Sequence, residues 1–453
     1  LARPGVATGG AVVKLLSLGA SQSGVPVEAL LLTRSVQADP DALRRDGRPT
    51  VLLIGQQHGD EPAGAEALIV LAQELVQGAL RPLLERINVV ILPRANPDGA
   101  QGDRRVTASG VDANRDHLLL NTPEAQAQAQ LAREYRPLVV VDAHEYTVNG
   151  PYVQKFGAVQ GVDAMLQYAM TANLSEFVTK AAEEWFRQPV LASLKREGLS
   201  SEWYHTTSED LGDKKISMGS TQPDTSRNVN GLRNAVSLLI ETRGAGIGRL
   251  HLKRRVHTHV TAITTVLQQA AKQSEALAKL RQFVDYDVSA QACQGEAVVE
   301  AESTPSEYSL LMLDPVSGAD KPVTVTWDSA LELHTVKTRP RPCGYWLAAE
   351  EVDAVRRLRN LGVLVEQLAE KGVVRGATYH EIAREGAVRE VVLGGAADAV
   401  EVRRPQVELV PALIDVEAGS YYVPLDQPLA NLALAALEPD TPTSYFANRI
   451  FSG

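Results

Sequence analysis

The strongest constraint on the fold of this chain is a set of four short, unbroken apolar runs separated by longer stretches of helical pattern. Residues 51–55, 87–92, 138–141 and 236–240 lack the polar–apolar alternation of a half-exposed strand, so each reads as a strand covered on both faces. Between the first two, Leu68, Val70, Leu71 and Leu75 recur at helical spacing within residues 62–76. Thr122-Pro123 opens another helix running to about Tyr135, with proline at its first position. Strands alternating with helices imply an α/β layer fold built on a largely parallel, buried sheet. Residues 12–18 and 27–33 add two early strands around a turn-rich 19–24.

Further along, the pattern predicts a long helical region over 161–195 and a polar surface loop over 200–230. Helices are expected at about 254–282, 347–371 and 427–437, with β-rich sequence at 283–340. The change of character near 270–290 divides the chain into a larger unit, 1–275, and a smaller β-rich α+β unit, 276–453. No apolar run approaches the ~20 residues that span a bilayer. The net charge of −10 argues against a nucleic-acid or anionic-membrane surface. With only Cys293 and Cys343, a cysteine zinc finger, an iron–sulfur cluster and a disulfide scaffold are excluded. Any metal must therefore be held by carboxylates and a choice from nine histidines. The two cysteines fit a reducing compartment or one disulfide. The chain starts at Leu1, as a processed or trimmed product would, which decides nothing about location; that stays open, with a periplasmic or secreted one slightly favoured over a cytoplasmic one. The oligomeric state is open.

In open α/β sheets ligands bind beyond the carboxyl ends of the strands. The first buried strand is followed by Gln56-Gln57-His58-Gly59-Asp60-Glu61, and the third by Asp142-Ala143-His144-Glu145. The fourth ends in Glu241. After the second come Asn96-Pro97-Asp98-Gly99, Arg104, Arg105 and Asp112-Ala113-Asn114-Arg115. His58 and Glu61, three apart across a strand-to-helix turn, can face one cation, and His144 completes a His2Glu set. Three protein ligands leave a fourth position for water, the arrangement of a catalytic rather than a structural zinc. Taken singly, each piece has a plainer reading: a chance HxxE, a hydrogen-bonded strand-end histidine, a turn. The plainer account must explain four strand ends independently, and the joint one does not. It does hold for His257 and His259, which fall on different faces of one helix. It also holds for Gly244, Gly246 and Gly248, read as a turn, and for Lys253, Arg254 and Arg255, read as a solvated helix start.

These pieces, with Val141-Asp142-Ala143-His144 and Leu238-Leu239-Ile240-Glu241-Thr242, resemble the M14 family of zinc carboxypeptidases in content and order. The likeness covers about residues 50–245. The segments from Tyr421 to Pro428 and Leu437-Glu438-Pro439 also look like the extension carried by larger bacterial members. The resemblance implies a three-layer α/β/α fold with a mixed, largely parallel central sheet. It implies one Zn²⁺ held by His58, Glu61 and His144, with Asp112 hydrogen-bonded to the first histidine. Glu241 is then the general base and acid acting on a zinc-bound water. Arg105 faces the developing oxyanion, and Asn114 with Arg115 grips the free carboxylate of a peptide substrate. The implied activity is hydrolysis of the C-terminal peptide bond.

The sequence departs from the family in two places. Digestive members carry a mobile tyrosine roughly twenty residues before the catalytic glutamate, whereas residues 205–241 contain no tyrosine and Tyr204 is the nearest upstream. Arg227 lies in the stretch that should line the side-chain pocket; if it points inward, an acidic C-terminal residue is preferred. Two rival readings stand beside this one. The first is a zinc N-acyl amino acid amidohydrolase of the succinylglutamate desuccinylase and aspartoacylase type, which shares the HxxE and distant histidine. The second is a non-catalytic binding protein, against which the retention of Glu241 and all three ligands speaks.

Overall fold

The computed structural model describes residues 11–208, 210–393 and 396–451. Its centre is an eight-stranded sheet made from β1 (Val12–Ala20), β2 (Pro26–Thr33), β3 (Thr50–Gly55), β4 (Asn88–Leu92), β5 (Val139–Thr147), β6 (Ala164–Tyr168), β7 (Ser201–Trp203) and, after a separate short strand β8 (Lys215–Ser217), β9 (Val236–Ala245). The spatial order is β1-β2-β4-β3-β5-β9-β6-β7. β4, β3, β5 and β9 run parallel, while β1, β2 and β6 introduce antiparallel pairs. The sheet is therefore mixed and largely parallel at its centre. All six residues of β3 and all five of β4 are buried, as expected for strands covered on both faces.

Helices α1 (Pro40–Asp46), α2 (Pro62–Gln77), α3 (Pro97–Gly102) and α4 (Pro123–Tyr135) connect the first strands. α2 lies on one face and α1 with α4 on the other, since Val139, Val141 and Ala143 pack with Leu68 and Leu71, and Val140 packs with Leu131 and Tyr135. The strand order turns at β3. The chain leaves β3 for β4 on one side and returns from β4 to β5 on the other, which opens a crevice at the strands' carboxyl ends.

Several local expectations change. The region 161–195 contains β6 before any helix, because Ala164–Tyr168 is a fully buried strand on β9. Helix resumes in α6 (Glu176–Ala181) and α7 (Gln188–Arg196), joined by a π turn over Ala182–Arg187; α5 (Pro151–Phe156) precedes them. The 200–230 stretch is not a surface loop: it holds β7, β8 and the start of α8 (Ser226–Leu232), whose seven residues are all buried. The expected helix at 254–282 is two, α9 (Leu252–Lys272) and α10 (Ser274–Ala290). Arg255 is buried rather than solvated, because it reaches the Glu145 carboxylate. His257 is exposed and His259 buried, as their faces require.

Beyond α10 come two long antiparallel hairpins, β10 (Glu296–Leu313) with β11 (Asp320–Pro340) and, later, β14 (Gly372–Leu393) with β15 (Ala396–Val416). Between and after them lie β12 (Gly344–Leu347), α11 (Val352–Asn360), β13 (Glu366–Gln367), β16 (Tyr421–Pro424) and α12 (Ala430–Leu437). Helix α11 is shorter than the 347–371 expected. The carboxy-terminal part shares apolar core with the sheet, since Trp327, Leu347 and Leu432 belong to the cluster that contains Leu53 and Val141. β8 extends β11 in parallel, and Arg233 Nη1 donates to Leu361 O at 2.6 Å.

Cys293 and Cys343 form a disulfide across a sequence separation of 50. Closing a loop of that length should stabilise the chain by about 4 kcal/mol through the unfolded state. Reduction, or Cys293→Ser, is expected to lower the urea unfolding midpoint measured by circular dichroism. An unchanged midpoint would contradict this.

Candidate active site

The site begins where β3 stops. Residues after Gly55 turn towards α2, which starts with proline at its first position. Glu61 occupies the N-cap position yet makes no capping hydrogen bond. Its carboxylate turns instead to two imidazoles: Oε1 lies 2.8 Å from His58 Nδ1, and Oε2 lies 2.9 Å from His144 Nδ1. The vacated helix end is served from β5, where Glu145 Oε1 accepts the Ala63 N–H at 2.7 Å. Burial raises the Glu145 pKa to about 7 even though Arg255 pairs with it. Gly244 makes room, since a Cβ there would stand 1.5 Å from the Glu145 carboxylate.

Each histidine is oriented by a second carboxylate. His58 Nε2 lies 3.0 Å from Asp112 Oδ1, and His144 Nε2 lies 2.9 Å from Asp142 Oδ1. The flanking carboxylates favour the tautomer with its proton on Nε2, which turns the two Nδ1 atoms, 3.0 Å apart, towards Glu61. His58 and His144 are 4% and 1% exposed. Two bare nitrogens and a carboxylate facing one another in such a place call for a cation. The separation suits two ligands of one ion at roughly 2.0–2.1 Å each. The donor set therefore fits zinc. His58, Glu61 and His144 are also the group of candidate ligands found among the described residues.

The electrostatics follow from this packing. Burial opposes ionisation of Asp112, but Arg105 and His58 hold it well below the usual carboxylate range. Burial likewise opposes ionisation of Asp142, and His144 overcomes it. His144 is buried too, yet Asp142 and Glu61 raise it well above an ordinary imidazole. Glu241 is different. It is 6% exposed, and its backbone pairs in register with His144 on the next strand. Burial, reinforced by Glu61, pushes its pKa up to about 7 against the pull of His144 and His58.

Arg105 reaches the triad from the loop after α3. Its Nη1 lies 3.1 Å from His58 Nδ1 and 3.3 Å from Glu61 Oε1, while Nη2 donates to Asp112 Oδ2 at 3.0 Å. Arg104 is exposed. Asn114 and Arg115 line the same cavity of about 310 Å³ together with Glu241, Tyr204 and Arg227. Asn114 Oδ1 accepts the Ser226 N–H at 2.8 Å and so ties the start of α8 to the site. The Asn96-Pro97-Asp98-Gly99 segment is scaffold. Asn96 Nδ2 donates to Gln57 O and Arg105 O at 3.1 and 3.3 Å, and Gly59 approaches Gly99 so closely that a Cβ would sit 1.9 Å from its carbonyl carbon.

Sequence reasoning assigned no role to Asp142, Gln57, His117 or Arg255. The i, i+2 spacing of Asp142 and His144 on a strand, which puts both on one face, was the available signal. Gln57 has no comparable signal: Nε2 donates to Asp142 at 2.7 Å while His117 Nε2 lies 2.7 Å from its Oε1. Arg227, expected on a polar loop, is 4% exposed, donates to Ser220 O at 2.8 Å and faces the Tyr204 ring.

Residues 7–148 match the zinc carboxypeptidase family, peptidase M14. That match and the carboxypeptidase relatives below support a peptide-bond hydrolase of metallocarboxypeptidase type. The chain is 28% identical over 410 residues to Carboxypeptidase 2 of Trichophyton equinum, covering 87% of this chain and 72% of that one. It is 37% identical over 113 residues to human Carboxypeptidase D, covering 20% of this chain and 8% of that one. The relatives matched over most of the chain are thus fungal, and the expected tie to larger bacterial members finds no support among them. Among solved structures, a Burkholderia cenocepacia metallo-carboxypeptidase aligns with a TM-score of 0.43 at 17% identity. That alignment covers 57% of this chain and 65% of the other, less than two thirds of its length.

If Asp142 sets the orientation of His144, Asp142→Ala should weaken zinc affinity about 10–100-fold. Competition titration against a chromogenic chelator measures this, and wild-type affinity in the variant would refute the role.

Proposed function

We propose that this chain removes C-terminal residues from peptides, with one zinc ion held by His58, Glu61 and His144. The observation that carries the reading is the inward pair of Nδ1 atoms beside an unneutralised glutamate, Glu241, at the carboxyl ends of adjacent strands. When bound, zinc supplies an acidified water and a Lewis acid for the scissile carbonyl. Glu241 takes a proton from the attacking water and hands one to the leaving amine. A carboxylate with a pKa near neutrality suits both halves of that transfer. Arg105, fixed by Asp112, points a guanidinium N–H at the place where negative charge develops. Arg115 and Asn114 receive the substrate's terminal carboxylate, which restricts the enzyme to chain ends.

Arg227 extends this reading to specificity. It is a second buried guanidinium on the cavity wall, and its Nε has no hydrogen-bond partner. No carboxylate among the described residues pairs with it; burial lowers its pKa, and Tyr204 and Glu241 only temper that. A substrate whose last side chain is a carboxylate would supply the missing charge. Arg227 thereby favours glutamate or aspartate at the cleaved position. The amidohydrolase alternative draws no specific support from the geometry.

Glu241→Gln should lower kcat about 10²–10⁴-fold with zinc content unchanged. Because Glu241 acts as a base, activity should rise with pH through its pKa. The cation beside it lowers that pKa, so the acid limb should fall at or below about 7. A mutant as fast as wild type, or activity that grows on acidification through this range, would overturn the assignment.

A peptide panel tests recognition. Peptides ending in glutamate should be cleaved faster than those ending in leucine or lysine, and amidated ends should resist. Arg227→Leu should abolish the glutamate preference while leucine ends are still cut. Equal rates on all three free ends would remove Arg227 from its role and leave Arg115 in place; equal rates on amidated ends would remove Arg115. Faster hydrolysis of N-acetyl or N-succinyl amino acids than of N-blocked dipeptides would favour the amidohydrolase.

A further inference from the structure

At the other end of the parallel strands lies a second cavity of about 590 Å³. It is bounded by the carboxyl ends of α4 and α11, the residues just after α8, part of α10 and residues 426–429. Its lining carries five arginines, Arg133, Arg136, Arg233, Arg281 and Arg359, against two aspartates, Asp285 and Asp426. Asp285 is already engaged, accepting from Arg281 Nε at 2.7 Å and from Asn234 Nδ2 at 2.8 Å. Asp426 is exposed.

Helix ends account for some of this charge. Arg133 sits in the last turn of α4, near Glu134, and Arg359 in the last turn of α11, where a cation complements the macrodipole. Arg233 has no such account. It is 6% exposed, its Nη1 is spent on the Leu361 carbonyl, and its Nε has no hydrogen-bond partner. No carboxylate among the described residues pairs with it. Burial pushes its pKa down to about 9, and the nearby Arg281 and Arg133 add repulsion. A buried guanidinium repelled by its neighbours is costly unless an anion joins it.

We propose that this cavity is a binding site for a small multivalent oxyanion, of phosphate or polycarboxylate type, which neutralises Arg233. Planar guanidinium forks suit such oxygens, and the cavity is large enough for a compact organic anion. Arg133 and Arg233 come from the catalytic half, while Arg359 and residues 363–365 and 426–429 come from the carboxy-terminal half. The anion therefore joins the two. Helix α8 is common to both cavities: Arg227 in its first turn faces the catalytic one, and Arg233 at its carboxyl end faces this one.

The test is titration of the whole chain with inorganic phosphate and, separately, with tricarballylate, a tricarboxylate lacking citrate's chelating hydroxyl. Ionic strength is held constant with sodium chloride, and melting temperature and calorimetric heat are recorded. A saturable rise in melting temperature with at least one anion is expected, and the stronger response identifies the class. Arg233→Leu should weaken that binding about tenfold or more, the loss of a charge-assisted hydrogen bond. Arg281→Gln, nearer the rim, should weaken it too and gives the readout if Arg233→Leu does not fold. No saturable response to either anion, or undiminished binding in the variants, would overturn the proposal.

Discussion

Two imidazole nitrogens with their lone pairs turned inward, 3.0 Å apart and shared by one buried carboxylate, set the terms for the rest of this structure. Such a cluster needs positive charge against it, which Arg105 supplies in part and a bound metal ion would complete, and it must be held rigidly to select one. Asp112 and Asp142 do the holding by accepting the outward Nε2 protons. Arg105 then neutralises part of Asp112, and Gln57 braces Asp142. Withdrawing Glu61 from the start of α2 leaves a helix end to be capped by Glu145, which in turn needs Arg255. A chain of buried charges follows from one choice of where a glutamate points.

The sheet supplies the rigidity. β3, β5 and β9 are adjacent and parallel, so residues distant in sequence reach one edge with side-chain directions set by register. His144 and Glu241 are register partners, which places the proposed base beside a candidate ligand, and no hydrogen bond from a described residue ties its carboxylate down. Burial without a close partner raises its pKa, whereas the carboxylates paired with imidazoles are lowered. Two kinds of glutamate, a candidate metal ligand and the proposed base, arise from that difference in company.

Much of this was legible in the residues. The buried strands were found because they carry no polar alternation, and the strand-end histidines and carboxylates because α/β sheets bind ligands there. The 200–230 stretch misled because serine, threonine, asparagine and glycine signal loops. Here those polar side chains are satisfied internally: Asn228 donates to Ser220 O and Gln222 O, and Asn114 receives the Ser226 N–H. Arg255 misled for a related reason, since its partner, Glu145, lies 110 residues away. The strand β6 was hidden in an apparently helical region because a five-residue apolar run fits either period.

The residue pattern alone was enough for the layered α/β class, for His58, Glu61 and His144 as candidate metal ligands, and for the net charge of −10. These are local in origin, resting on apolar period and on spacing across strand ends. Three-dimensional packing was needed to see that Asp142 lies against His144, that Arg227 lines the cavity beside Glu241, and that Arg233 is buried with no carboxylate partner among the described residues. The last two depend on contacts such as Ser226 with Asn114 and Arg233 with Leu361, more than a hundred residues apart in sequence, and burial there turns an ordinary polar residue into a costly or a useful charge.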